Sequence, residues 1–152
     1  MTTEMRTPQP DLEPIDGAVP ERCVIVVDDA LPVGLAANAA AVLSLTLGAR
    51  ASGLIGGDVV DADGSVHPGL IDRGLPILRA PASQLGAIRA RALESGVRVI
   101  DFPSFGQQTT DYDAFREQVA RTPTDEIAYL GLLLYGPKRS VGRLTGSFPL
   151  LR

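Results

Sequence analysis

The run Cys23-Val-Ile-Val-Val27 limits this chain more than any other feature. It is five consecutive apolar residues, four of them β-branched, with no polar residue alternating between them. A strand with one wet face alternates polar and apolar side chains, so this one needs cover on both faces. Asp28 and Asp29 close it, and Ala30-Leu-Pro-Val-Gly-Leu35 reads as a turn. The stretch from Ala36 to Leu47 is rich in Ala and Leu and stops at Gly48, as a helix does. It is apolar nearly all round, which predicts a central, enclosed helix. Asn38 is its one strongly polar side chain near the N-terminal end.

The rest of the chain continues the alternation. Val59-Val-Asp61 and Ser65-Val-His67 flank Ala62-Asp-Gly64 and predict a small hairpin with an Asp-Gly turn. Leu75 to Arg79 is a second core strand. Ala82 to Ser95 is an amphipathic helix with Leu85, Ile88, Ala92 and Leu93 inward. Val97 to Phe102 is a third strand and Pro103 to Thr110 a loop. Asp111 to Arg121 is a helix capped by Thr110, with Asp113 three residues on. Ile127 to Tyr135 is a long apolar strand broken by Gly136-Pro137, and Ser140 to Leu144 forms a last helical turn. Strands alternating with helices give an α/β layered domain over residues 21–152. Its centre is a mixed β-sheet of about four or five strands, with helices on both faces. Residues 1–20 hold four prolines and four acids with little apolar periodicity, and read as a disordered tail.

Composition removes several function classes. Net charge is −4, and Lys138 is the single lysine. A polyanion binder needs a basic face, so nucleic acid is disfavoured apart from the local cluster of Lys138, Arg139 and Arg143. One cysteine, Cys23, excludes an intramolecular disulfide and a multi-cysteine zinc site, and it reads as buried and inert. One histidine, His67, builds no multi-histidine site. The apolar stretch Leu31 to Leu47 is interrupted by Pro32, Gly34, Asn38, Ser44 and Thr46, and MTTEMRTPQP carries no apolar leader. The expectation is a cytoplasmic protein that does not enter a membrane. No cofactor is implied: there is no Walker loop, and Gly53-Leu-Ile-Gly56-Gly57 lacks the following helix of a dinucleotide site. Asp61 and Asp63 lack the rest of a calcium loop and read as a turn.

The candidate site follows from position. Asp28 and Asp29 sit at the carboxyl end of the first strand, where open α/β sheets tend to hold ligands, and the next helix begins just after them. Asn38 lies in the first turns of that helix. After the last strand, Tyr135 to Leu151 gathers small residues, a cation pair and hydroxyls, among them Thr145, Gly146 and Ser147. That segment suits a loop holding an anion and equally suits a tightly packed chain end. A pocket between Asp28, Asp29, Asn38, Thr145, Gly146 and Ser147 is the expected ligand site, with no metal in it.

Two stretches add a resemblance. Val24-Ile-Val-Val-Asp-Asp-Ala-Leu-Pro-Val-Gly-Leu-Ala-Ala-Asn-Ala-Ala-Ala41 resembles the strand–turn–helix opening of type II peptidyl-tRNA hydrolases. Val141-Gly-Arg-Leu-Thr-Gly-Ser-Phe-Pro-Leu-Leu151 is similar to their closing pattern. A bacterial relative of those enzymes, the "domain of unknown function two thousand" group, is a closer likeness. It rests on Leu31-Pro-Val-Gly-Leu-Ala-Ala-Asn38 and Leu130-Gly-Leu-Leu-Leu-Tyr-Gly-Pro137. The resemblance implies a peptidyl-tRNA hydrolase-like fold. It does not imply the activity, because the hydrolases' lysine positions hold Pro32, Leu35 and Ala37 and their glutamine position holds Ala41. Apolar side chains there neither polarise a carbonyl nor neutralise a phosphate.

Three functions are therefore carried forward. The first is a small-molecule or peptide-binding domain at the pocket above. The second is a hydrolase of unknown substrate with Asp28 or Asp29 as general base and Asn38 or Thr145 as donor. The third is a degenerate RNA-binding protein. A homodimer is the expected assembly where one forms.

Overall fold

Strand β1, Arg22–Asp28, is buried from Cys23 to Val27, as an unalternated apolar run requires. The computed structural model describes residues 19–152, and β1 lies inside its four-stranded sheet. The sheet order is β4 (Ile77–Ala80), β1, β6 (Tyr129–Gly136), β5 (Arg98–Pro103). β1 runs parallel to β4 and antiparallel to β6, with Cys23 opposite Tyr135 and Val27 opposite Gly131. β5 pairs antiparallel with β6. The sheet is thus mixed, with the two most apolar strands adjacent at its centre. β4 is covered along its outer side by residues 149–151, through Arg79 N to the Pro149 carbonyl and Leu151 N to the Ile77 carbonyl. β5 forms the opposite edge of the sheet.

The pleat sends alternate residues of β1 into two cores. Cys23, Ile25 and Val27 meet helix α1, Val33–Arg50, with Leu133 and Tyr135 of β6. Val24 and Val26 meet helix α2, Ala82–Glu94, and helix α5, Lys138–Thr145, with Leu132 and Leu134. Helices therefore cover both faces, as expected. Between β5 and β6 lie the short helix α3, Phe105–Gln108, helix α4, Tyr112–Arg121, and the 3-10 turn Thr124–Glu126.

Several expectations are corrected. Helix α1 is not enclosed. Ala36, Ala39, Ala40, Leu43 and Leu47 are buried, whereas Val33 and Leu45 are 87% and 79% exposed. Apolar composition cannot tell an enclosed helix from an outer-layer one, and α1 is an outer layer with a single face on the sheet. It is also long and apolar enough to cross a bilayer by length and composition, although its inner face is core. The helix starts three residues earlier than its Ala-rich stretch, at Val33, directly after Pro32. Leu93 of α2 is half exposed and does not join Leu85, Ile88 and Ala92. Asp111, not Thr110, caps α4: its carboxylate accepts from Asp113 N at 3.0 Å. The loop after β5 contains α3, and the last turn is a full helix, Lys138–Thr145.

Close packing makes glycine matter at two backbone positions. A Cβ at Gly131 would lie 3.2 Å from the Val26 carbonyl and 3.3 Å from Leu43 Cδ1, so its absence lets α1 settle on the sheet. A Cβ at Gly69 would collide with the Gly56 carbonyl, where the two legs of a hairpin cross closely. The expected tail, residues 1–20, lies mostly outside the described residues. Its end is packed: Pro20 is buried, and its carbonyl accepts from Arg73 at 2.6 Å.

Candidate functional site

A groove of about 560 Å³ lies over the outer part of the α1 face. Its floor is β5, chiefly Ile100 and Phe102, with Tyr135 of β6 beside them. One wall is α1, presenting Asn38, Val42, Thr46 and Arg50 at helical spacing. The other wall is the segment after β5, where Gly106, the Thr109–Tyr112 turn and Phe115 face the cleft. A Cβ at Gly106 would strike the Phe102 ring, so glycine there lets this wall close onto the floor. Tyr112 and Phe115 meet in a tilted arrangement, 5.6 Å between ring centroids. The chain has three tyrosines and four phenylalanines, and four of these rings line the groove, an aromatic concentration typical of ligand sites.

The groove is polar at its ends. Burial pushes the Tyr135 phenol up, and the nearby Arg98 and Arg50 guanidinium groups pull it partly back. Among the described residues neither Arg50 nor Arg98 makes an ion pair. This end therefore offers uncompensated positive charge beside a phenol. Toward the other end Asn38 is exposed to the groove, and its side chain makes no hydrogen bond among the described residues. Asp101 turns the opposite way. Its carboxylate takes Arg89 Nε at 2.6 Å, and Arg89 also stands over the Tyr129 ring at 5.9 Å.

Of the six residues expected to form a pocket, Asn38 lines this groove and the other five do not. Asp28 is half-buried, and its Oδ1 accepts from Ala30 N at 2.9 Å, fixing the turn into α1; Asp29 is exposed. Thr145 lies on α5, across the sheet from Asn38. It is 2% exposed, and its hydroxyl donates to the Val141 carbonyl at 2.8 Å. Gly146 N donates to the Gly142 carbonyl, ending α5, and Ser147 is exposed. Helices on opposite faces of one sheet cannot share a cavity through it, which separates Asn38 from Thr145.

Sequence reasoning missed Arg50, Phe102, Tyr112, Phe115 and Tyr135. The signal available was the clustering of a scarce residue type, aromatics, near the ends of β5, α4 and β6. Among the described residues, no three His, Cys, Asp or Glu side chains gather as a metal site. Asp61 and His67 meet at 3.0 Å in the hairpin β2 (Val59–Val60) and β3 (Val66–His67). Asp61 also accepts from Asp63 N and Ser65 N, the turn role expected for it.

The fold and groove define an α/β domain with a four-stranded mixed sheet and an amphipathic cleft. Residues 21–152 match the family described as "Protein of unknown function (DUF2000)", and the chain belongs to that family. Among solved structures, the protein of unknown function Atu0240 from Agrobacterium tumefaciens strain C58 is similar in fold. Its TM-score is 0.78 at 21% identity, over 85% of this chain and 96% of that one. No curated protein matches the sequence.

Proposed function

We propose that this chain is a binding domain whose groove takes a small, mostly apolar molecule carrying one anionic group. The observation that carries the reading is the aromatic cleft of Phe102, Tyr112, Phe115 and Tyr135 with Arg50 free of any carboxylate at its end. An apolar body would leave water against these rings, and burial of that surface is favourable at roughly 25 cal/mol per Å². A carboxylate beside Arg50 and the Tyr135 hydroxyl would gain charge-assisted hydrogen bonds in a partly dry setting. Asn38 would supply a donor and an acceptor at the far end and so select ligand length.

A fold likeness to type II peptidyl-tRNA hydrolases belongs to the same reading. It is supported by the Val24–Ala41 opening and the Thr145-Gly146 ending, and the positions of that family's lysines remain Pro32, Leu35 and Ala37. The likeness therefore comes without the residues that would act on RNA. The hydrolase alternative gains nothing from the geometry, since the Thr145 hydroxyl is already committed within α5.

The test is a titration of medium-chain fatty acids and aryl carboxylates, with the matching alcohols as controls. Binding is read by thermal shift and calorimetry, since a ligand that binds the folded state raises the melting temperature. Carboxylates should bind and their alcohols should bind at least tenfold more weakly. Arg50→Ala should remove that difference, and Val42→Trp should block both. Binding that is indifferent to Arg50 and Val42, or none at millimolar ligand, refutes the proposal.

A further inference from the structure

The first turn of α5 carries charges that a helix start disfavours. A helix N-terminus bears a partial positive charge, so acids are favourable there and cations are not. Lys138 and Arg139 open α5, and its first turn holds no acidic residue. Arg22 adds a third cation. It shares a pleat face with Val24 and Val26, the side of β1 that α5 covers. Opposite it on β6 stands Gly136, the residue before the Pro137 N-cap. From Ile127 to Arg152 the chain has four cations and no acidic side chain, in a protein whose net charge is −4. Positive charge is thus gathered here against the sign of the whole.

A concavity of about 640 Å³ lies at this end of the sheet, where β1 and β4 begin and β6 ends. Arg22, Arg73 and Lys138 reach it from three separate places: β1, the loop before β4 and the start of α5. Gly74, Leu75 and Pro76 form the rest of its wall. Two acids answer the cations. Asp72 holds Arg73 at 2.7 Å, and Glu21 Oε2 accepts from Lys138 N at 2.9 Å. Among the described residues Arg22, Lys138 and Arg139 make no ion pair. Arg22 Nε is buried without a hydrogen-bond partner, one of only two such side-chain atoms among the described residues. A charged donor left unpaired away from water is unfavourable. An anion from outside the chain relieves both the surplus charge and the unpaired guanidinium.

We propose that this concavity binds the phosphoryl group of a small molecule. Its donors converge from several directions, which suits a tetrahedral anion better than a planar carboxylate. Arg22 offers a planar fork and Lys138 a point charge, the two kinds of cationic partner that phosphate takes. The acidity of the rest of the chain repels a nucleic-acid strand, so the phosphate belongs to a small molecule. Glu21 already holds the amide that opens α5, and its carboxylate at the rim weakens the site by repulsion. The concavity shares no lining residue with the aromatic groove, so the proposal stands apart from the reading of that groove.

The test is calorimetry and phosphorus NMR on the full chain at low salt, with inorganic phosphate and glycerol phosphate as probes and acetate as the carboxylate control. Saturable binding of a phosphate probe with a Kd at or below about 1 mM is expected. The tighter probe identifies the source, free phosphate or a phosphomonoester. Arg22→Gln and Lys138→Met should each weaken binding at least about tenfold, since each removes a charge-assisted contact; Lys138 is exposed, so that variant tests the site without disturbing the fold. Glu21→Gln should tighten binding by about threefold or more, because glutamine still accepts from Lys138 N but no longer repels the anion. Arg116→Gln removes an exposed cation of α4 and should change nothing. Absence of binding at about 10 mM of either phosphate probe overturns the proposal. So does acetate that binds as tightly as phosphate, binding that Arg22→Gln or Lys138→Met leaves intact, or an equal loss in Arg116→Gln.

Discussion

Replacing Leu43 by alanine tests how α1 is seated. Leu43 is 1% exposed and lies over Gly131, with its Cδ1 3.3 Å from where a Cβ on that glycine would stand. Truncation removes three carbons from a dry site, about 2.5 kcal/mol at roughly 0.8 kcal/mol per buried methylene. The space left behind adds about 1 kcal/mol, because a helix packed against a sheet relaxes only in part. The expected loss is therefore about 3–4 kcal/mol, or a fall of roughly 10 °C in melting temperature for a chain of this size. Gly131→Ala should cost about 1–2 kcal/mol alone, since its methyl would press on the Val26 carbonyl and on Leu43. In the double variant the new methyl enters the space Leu43 left, so the pair should lose at least about 1 kcal/mol less than the sum. Urea unfolding of the four proteins measures this. A Leu43→Ala cost below about 1 kcal/mol would mean that α1 does not rest here. Additivity to within about 0.5 kcal/mol would mean that Leu43 and Gly131 do not touch.

Two further outcomes are expected beside those for the groove. Cys23 is fully buried and burial raises its thiol pKa, so a disulfide reagent should label it only at the rate of unfolding in native buffer, and at once in denaturant; prompt labelling of the native protein would contradict its place in the core. Asp61 has its pKa lowered, first by the hydrogen bond with His67 and then by the Ser65 amide. A depressed carboxylate pKa stabilises the fold above the unfolded value and loses that contribution as pH falls through the folded one. Protection of the Ser65 and Asp63 amides, taken relative to the intrinsic exchange rate at each pH, should therefore hold down to the ordinary carboxylate range and fall below it, and Asp61→Asn should remove the step.

The strands were legible because their chemistry is local. Cys23–Val27 and Ile127–Tyr135 are apolar without alternation, and both became central strands, the second starting at Tyr129 and running one residue further, to Gly136. The Asp-Gly turn at Gly64 takes φ of +87°, a conformation that its residue type announces. The role of α1 was not legible, because an Ala- and Leu-rich stretch reads alike whether one face or all of it is covered. The groove was legible only at Asn38. Its other walls come from β5, β6 and α4, which meet through antiparallel pairing such as Ile100 opposite Leu133. No local pattern encodes that pairing, so Phe102 and Tyr135 could not be placed together from sequence.

The placement of β1 has a cost in time. It is the first strand of the sheet, yet its antiparallel neighbour is the last, with Cys23 opposite Tyr135 across roughly 110 residues of intervening chain. Closing so long a loop comes late, since its entropy must be met before the contacts reward it. Until then five uncharged residues with high β-propensity lack the strand that pairs with them along one side. A segment of that kind is what associates between chains when it is left open. Yield on refolding should therefore fall with protein concentration more steeply than native stability would suggest, and the charges at the two ends of β1, Arg22 and Asp28, guard that run while it is open.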